Sequence, residues 1–512
     1  MKKPSSEKEL STLKLRRTKS PARSALRRTK EKKFYITTAI AYTNAAPHIG
    51  HALEAIQADT IARYKRQLGE DVFFLTGTDE HGDKINRIAV SSGKTAKAFV
   101  DEISTKFKGL KKNLGLSFDD FIRTTDKKRH YPGVYALFEK MKRKGDIYIK
   151  NYKGLYCIGC EKFLTEKDLT EEGNCPFHKK PPEVVEEQNF FFRLSRYGDK
   201  IREAIEKGRL KIYPEATKSE TLAFIRDGLE DVSFSRSKKS VPWGIPIPNS
   251  DQTMYVWGDA LTNYISAIGY GRDEKNFKKW WPADVHLIGK DIFRFHAVIW
   301  PAMLMSAGLP IPKSLFVHGF ITVRGEKMSK TIGNVIDAYE PAGRYGSDAL
   351  RYYILREIPS DGDGDFSYDR FDERYESDLA KGLGNFAART LNLLHGEKVN
   401  LKKTVSAEVK GDIKRMKERV KKGFGEFRLH ESLAAVFDLI KSGDVYVNER
   451  QPWKNKSEKI SRDLTAYLQA IQEGVAPFMP ETAKKMEKAL GLKGEIYHPK
   501  KINRLFPMPE NN

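Results

Sequence analysis

No run of about 18 apolar residues occurs anywhere in the chain, so no segment is long enough to cross a bilayer as a helix. The first 33 residues have no apolar stretch either, which excludes a secretory signal there. Acidic side chains are in deficit: 68 Asp and Glu stand against 91 Lys and Arg, a formal charge of +23. A basic surface of that size supplies the sequence-independent part of affinity for a polyanion, so a nucleic acid is the expected partner. No internal repeat of fixed period is present. Cysteine is scarce, three residues in all, and these fall between positions 157 and 175.

The 512 residues imply roughly three to four domains at ~100–200 residues each. Residues 1–33 hold 13 Lys and Arg against 3 Asp and Glu, so +10 of the charge lies in this tail and +13 in the body. The composition reads as a disordered basic arm that adds weak RNA affinity. An organelle transit peptide is the alternative, opposed by Glu7 and Glu9 so near the start.

The stretch Pro47-His48-Ile49-Gly50-His51 lies where a β-like run, Phe34 to Ile40, gives way to a helical one. Leu53, Ile56, Thr60, Ile61, Tyr64 and Leu68 recur at three- and four-residue spacing, an amphipathic helix that Gly69 ends. The N-terminus of such a helix offers unpaired N–H groups and partial positive charge to phosphate. Read alone, His48 and His51 serve equally as helix-capping residues. A second strand, Val72 to Thr76, ends in Gly77-Thr78-Asp79-Glu80-His81-Gly82, the kind of polar strand end that lines a ligand crevice in an open α/β sheet. Helices are expected at Ala96–Leu114 and Tyr131–Lys144.

Cys157-Ile158-Gly159-Cys160 and Cys175-Pro176-Phe177-His178 pair a CxxC with a CxxH. Two-residue spacers let each half present both ligands inward, which predicts one tetrahedral, structural Zn²⁺ held by Cys157, Cys160, Cys175 and His178; a redox pair or unrelated buried thiols are the alternatives. A buried strand is expected at Phe190–Leu194, then a helix to about Lys207, a proline-punctuated loop over Ser233–Pro248, and strand-to-helix joints at Met254–Tyr264 and Val285–His296. Trp257, Tyr264 and His296, taken singly, read as core. A strand at Ser314–Ile321 runs into Lys327-Met328-Ser329-Lys330-Thr331, where two lysines on a glycine-bounded loop can reach one polyphosphate or simply decorate a charged turn. The loop Pro359–Asp365 begins like an EF-hand, yet its twelfth position is Asp372 rather than glutamate, so it reads as a turn. Beyond Phe371 the pattern is helical: Tyr375–Leu394, Ala407–Phe427, His430–Asn448 and Ser461–Met479.

The order of these motifs resembles a class I aminoacyl-tRNA synthetase, and the linking stretches are similar to the methionyl-tRNA synthetase family, from about Lys33 to at least Trp453. The resemblance implies an α/β fold with a Rossmann-type parallel-sheet catalytic domain, a zinc-knuckle insertion and an all-helical anticodon-binding bundle. The implied divisions are a basic tail at 1–33, the first catalytic half at 34–145, the insertion at 146–235, the second half at 236–325, the lysine loop and stem-contact region at 326–374, and the bundle at 375–512. The implied activity is ATP-dependent attachment of methionine to initiator and elongator tRNA(Met) through methionyl-adenylate, releasing AMP and pyrophosphate. ATP, Mg²⁺ and one Zn²⁺ are the implied cofactors; a cytoplasmic monomer is expected, with an organelle as the alternative address.

Carried over residue by residue, the resemblance places Thr43, Asn44, His48, Gly50, His51, Gly289, Asp291, Lys327 and Lys330 around ATP. Of these, His48, His51, Lys327 and Lys330 would act on the developing charge. Methionine would lie against Ile40, Tyr42, Trp257, Ala260, Leu261, Tyr264, Ile292 and His296, with Asp79 on its ammonium group. Asn385, Arg389 and Trp453 would read the anticodon. Thr331, Glu376, Lys381 and Gly258 depart from the family pattern locally. No insertion long enough for an editing domain lies between Pro47 and Lys327, which sets aside the leucine, isoleucine and valine enzymes. A small-molecule nucleotidylyltransferase and an inactive RNA-binding relative are the rival readings, opposed by the helical half and by the intact histidines and lysines.

Overall fold

The structure, a computed structural model, describes residues 32–159, 162–164, 166–328 and 333–507; the basic tail up to residue 31 lies outside them. In chain order the elements that place the site are β1 (Lys33–Thr38), β2 (Ala41–Tyr42), α1 (Ile49–Gln67), β3 (Asp71–Asp79), β4 (Asp120–Arg123), β5 (Ile147–Cys157), β6 (Lys162–Leu164), β7 (Glu183–Phe192), β8 (Lys211–Tyr213), β9 (Val232–Ser233), α2 (Val256–Leu261), β10 (Val285–Gly289) and β11 (Ser314–His318). They are followed by α3 (Ser347–Glu357), α4 (Asn385–Leu393), α5 (Ala407–Gly425), α6 (Leu429–Arg450), α7 (Glu458–Val475) and α8 (Pro480–Leu490).

Side chains of successive strand residues point to opposite faces, and here both faces are apolar. Phe34 and Ile36 of β1, Phe74 of β3, Leu287 of β10 and Phe316 of β11 enter one core, while Tyr35, Leu75, Ile288, Leu315 and Val317 enter the other. A sheet buried on both sides is the parallel kind. Strands β4, β3, β1, β10, β11 and β8 pair in parallel in that order, with β2 continuing the line of β1 along β3. The chain leaves β1 toward β3 and β4 on one side and returns to β10 and β11 on the other, so strand order reverses between β1 and β10. A crevice opens beyond the carboxyl ends at such a reversal, and α1 starts there.

Between β4 and α2 the chain forms an antiparallel sheet, β6–β5–β7–β9, that carries the cysteine segments, with β8 crossing to the edge of the parallel sheet before β9 closes this one. The strand expected to reach Leu194 stops at Phe192, because Leu194 turns into a short 3₁₀ segment. Helices α4 to α8 form the C-terminal part. The last helix expected from the pattern ends at Met479, but Pro480 opens a further one, α8, where a first-turn proline loses no hydrogen bond. A ladder of two-residue strands, 399–400 with 496–497 and 492–493, supplements the helices. The bundle packs onto α1 through Tyr64 stacked on Phe424 at 3.8 Å and onto the sheet through Phe427 stacked on Phe316 of β11 at 4.9 Å. No helix among the described residues is long and apolar enough to cross a membrane.

Candidate active site

His48 is the N-cap of α1: its Nδ1 accepts the Gly50 N–H at 3.1 Å, and the His48 N–H donates to His51 Nδ1 at 3.1 Å. The capping reading of these histidines is therefore correct for one ring nitrogen of each. Because both Nδ1 atoms accept, the neutral rings carry their protons on Nε2, and both histidines line the crevice. Burial pushes the His51 imidazole well below its ordinary pKa, reinforced by His48 and His318, so the ring is a neutral donor at working pH. Gly50 is required by space: a Cβ there would lie 2.9 Å from His48 Cε1.

The crevice is a cavity of about 920 Å³. Chain downstream of the lysine loop runs beside the histidine motif, with Ile49 N–H donating to Ile336 O at 2.9 Å and His48 bridged to Asp337. Lys327 and Met328 thereby reach the same cavity as His48 and His51. Lys330 and Thr331 lie outside the described residues. Of the four side chains expected to converge, three do.

Ile40, Tyr42, Asn44, Gly50, Asp79, Trp257, Ala260, Leu261, Tyr264, Gly289, Asp291, Ile292 and His296 line the cavity as well. Thr43 does not; it is buried behind the wall, its N–H and hydroxyl both donating to the Asp79 carbonyl at 3.0 Å. One end is aromatic: Trp257 stacks on Phe295 at 3.8 Å, and Tyr264 donates to His296 Nε2 at 2.8 Å. His296 Nδ1–H donates to the Ile292 carbonyl at 3.0 Å. Gly258 is accounted for by Phe234, whose ring fills the space; a Cβ at 258 would come within 2.6 Å of it.

Burial lowers the His296 pKa to about 4. Unfolding returns the ring to ~6.5, so between those values the unfolded chain binds a proton that the folded chain excludes, and stability rises with pH. Acidification from pH 7 to 4 is expected to remove about 3 kcal/mol through this group alone. Buried His286, also well below its ordinary range, acts in the same direction. Thermal melts from pH 7 to 4 check this against His296→Gln, which should flatten part of the slope; parallel curves would show that His296 binds its proton alike in the folded and unfolded chain.

Several cavity residues were missed from sequence. Glu54 lies one turn after His51 on α1, and its Oε2 pairs with His318 Nε2 at 3.1 Å. Burial raises the Glu54 carboxyl, while His318, which burial alone would lower, is raised by Glu54. The three-residue step from His51 placed Glu54 on the same helix face, a signal available at the outset. His318 ends β11, where parallel strands meet the crevice. Lys84, Asn263 and Phe295 had no such signal.

In the insertion, Cys157, Cys175 and His178 present ligand atoms within 4.8 Å of one another. His178 Nδ1 lies 3.7 and 3.8 Å from the two sulfurs, close to the ~3.5 Å edge of a tetrahedron with ~2.3 Å Zn–S and ~2.0 Å Zn–N bonds. The donors fit zinc; Cys160 lies outside the described residues. His178 also lines the large cavity. In the C-terminal helices the Arg389 guanidinium sits 5.0 Å from the Trp453 ring centre and donates to Asn448 Oδ1 at 2.9 Å. Trp453 is 51% exposed, and Asn385 is exposed one turn earlier on α4. Glu376 and Lys381, the departures in this region, pair with each other at 2.5 Å. In the EF-hand-like loop the Asp363 carboxylate holds Lys290 and the Phe320 N–H, as a turn would.

Comparison with known proteins follows the same lines. The family described as "tRNA synthetases class I (M)" matches residues 34–181 and 172–391. The methionine–tRNA ligase of Thermotoga maritima is 44% identical over 478 residues, covering 89% of this chain and 74% of the relative. That of Caldanaerobacter subterraneus subsp. tengcongensis is 43% identical over 482 residues, 91% and 75%. The Mycobacterium tuberculosis methionyl-tRNA synthetase in complex with methionyl-adenylate superposes with a TM-score of 0.87 at 38% identity, covering 93% of this chain and 100% of that one. With a switch-point crevice, a His-Ile-Gly-His helix start and a lysine loop beside it, the chain belongs to the class I aminoacyl-tRNA synthetases. Within that class it is a member of the methionine–tRNA ligase family.

Proposed function

We propose that this protein attaches methionine to tRNA(Met). A methionine carboxylate oxygen attacks the α-phosphorus of Mg²⁺-bound ATP and pyrophosphate leaves; a ribose hydroxyl at the tRNA 3′ end then attacks the acyl carbon and AMP leaves. The observation that supports this most is one cavity holding the imidazole donors, Lys327, and an aromatic wall with a carboxylate beside it. His48 and His51 donate N–H groups to the phosphate oxygens as charge develops, and Lys327, with Lys330, takes the leaving pyrophosphate. Thr43, behind the wall, fixes the Asp79 segment, while Asn44, Gly289 and Asp291 hold the nucleoside end. Asp79 receives the ammonium group, and Ile40, Tyr42, Trp257, Ala260, Leu261, Tyr264, Ile292 and His296 enclose the thioether, which favours aromatic contacts. The test is exchange of labelled pyrophosphate into ATP: methionine supports it and leucine does not. No exchange with methionine, or equal exchange with leucine, overturns the reading.

Cys157, Cys160, Cys175 and His178 would hold one Zn²⁺, which would tie together a knuckle whose own buried cluster among the described residues is only Cys157, Leu164 and Cys175. Metal analysis should give about one zinc per chain, and Cys175→Ser should lower it with partial unfolding of the knuckle; full occupancy in that variant would remove Cys175 from the ligand set.

Asn385, Arg389 and Trp453 would receive the anticodon, with a splayed base on the exposed indole. Trp453→Ala is expected to leave pyrophosphate exchange intact and to reduce tRNA charging about 10–100-fold, a stacking loss of ~1–3 kcal/mol. Equal charging would make the tryptophan a surface ring only. The same reading takes initiator and elongator tRNA(Met) as substrates and the chain as a cytoplasmic monomer, with an organelle as the alternative address; sedimentation and imaging of the full chain check both.

A further inference from the structure

Behind the methionine wall lies a buried polar cluster that the proposed chemistry does not use. Asp259, 1% exposed on α2, places one carboxylate oxygen on each of two buried imidazoles: Oδ2 on His81 Nδ1 at 2.7 Å and Oδ1 on His130 Nε2 at 2.7 Å. A carboxylate only accepts, so His81 carries its proton on Nδ1 and His130 on Nε2. The outer nitrogens face hydroxyls, His130 Nδ1 with Ser266 Oγ at 2.8 Å and His81 Nε2 with the Tyr131 hydroxyl at 3.5 Å. Burial would raise the Asp259 carboxyl, and the two imidazoles outweigh it, holding the group below the usual carboxylate range.

The cluster joins three pieces of chain. His81 stands two residues after Asp79 in the turn that follows β3, His130 precedes the helix Tyr131–Arg143, and Asp259 lies between Trp257 and Ala260 on α2. The carboxylate read as the ammonium partner and the wall read as the thioether partner therefore sit at either side of one buried bridge. Trp243, which donates to the Glu80 carbonyl at 2.5 Å, holds the same strand-end turn to the loop before α2.

We propose that Asp259, His81 and His130 are positioning residues for amino-acid selection: the bridge sets the distance between Asp79 and the Trp257–Ala260–Leu261 wall, so that the cavity measures an α-amino acid by the length of its apolar side chain. The inference rests on the methionine reading of the cavity. Loss of the bridge lets α2 and the strand-end turn drift independently, and misplacement of about 1 Å is enough to cost up to ~10²-fold.

The experiment measures KM for methionine, KM for ATP and the ratio of methionine to leucine exchange in the full chain. His81→Leu and His130→Leu keep bulk and lose the N–H; His81→Asn and His130→Gln return an N–H at the reach of Nδ1 and Nε2 respectively. The leucine variants and Asp259→Asn are expected to raise KM for methionine about tenfold and to lower the methionine-to-leucine ratio, with KM for ATP unchanged; the amide variants recover most of both. Wild-type KM for methionine in every variant, or equal impairment of amide and leucine variants, overturns the proposal. Should a leucine variant not fold, His81→Asn against His81→Gln decides, since glutamine carries its amide one bond too far. A wild-type chain without methionine-dependent exchange would instead overturn the proposed function.

Discussion

His51→Asn is expected to lower methionine-dependent pyrophosphate exchange about 10²–10³-fold, the loss of one preorganised donor worth ~2.7–4 kcal/mol in the transition state. The reason lies in the division of labour between its two nitrogens. Nδ1 is committed to the His48 N–H at 3.1 Å, which leaves the proton on Nε2. Burial keeps the ring well below its ordinary pKa, so that donor is present without pH adjustment. Asparagine offers an oxygen at the reach of Nδ1, so it keeps the cap, and nothing at the reach of Nε2. The melting temperature should stay close to wild type, whereas His51→Ala should lose the donor and also ~1 kcal/mol of capping. The effect belongs in kcat more than in KM, because charge on the phosphate grows only as the reaction proceeds. Unchanged exchange in the asparagine variant would reduce His51 to a capping residue.

What the sequence made legible was whatever depends on local pattern. The α1 helix was read from its apolar spacing, and Leu53, Ile56, Thr60 and Ile61 are buried, but residues 56–62 are buried on every side and Leu68 is 57% exposed, so the middle of α1 is enclosed rather than amphipathic. Gly69 takes φ +82 where the helix was expected to stop. Crevice residues at strand ends were legible for the same reason, since β3 and β10 end in polar turns. Pairings across long separations were not. Glu54 meets His318 from 264 residues away, and Asp259 meets His81 from 178; His81 was placed in a polar strand-end turn and Glu54 shares the His51 face of α1, but nothing local in the sequence names the partner of either. Gly258 looked anomalous until Phe234 filled the space beside it. The family resemblance supplied Trp257, Tyr264 and His296, which periodicity alone assigned to the core, and all three line the cavity.

The largest expected effect on stability comes from a pair that catalysis does not touch. Arg351 on α3 is fully buried, and its guanidinium meets Asp59 of α1 at 2.8 Å, the Phe478 and Pro477 carbonyls at 2.7 and 3.0 Å, and the Leu114 carbonyl at 3.3 Å. Asp59 in turn accepts from Arg63 at 2.6 Å and from the Ser117 N–H at 2.6 Å. Asp59→Ala leaves the guanidinium buried against carbonyls without its directly paired carboxylate, which should cost about 3–5 kcal/mol. That is a large part of a typical ~5–15 kcal/mol total. Arg351→Met should cost less, because Asp59 keeps Arg63 and Ser117. The double variant Asp59→Leu with Arg351→Met should then recover part of the loss, since an apolar replacement leaves no charge stranded. Urea titration of Asp59→Leu, Arg351→Met and their combination decides: strictly additive losses would show that the two side chains do not act as a pair. The pair also ties the middle of the helix whose first turn carries His48 and His51 to the segment after α7. A loosened joint is therefore expected to lower tRNA charging before it lowers pyrophosphate exchange. Charging needs the helical part held to the sheet, whereas exchange needs only the crevice.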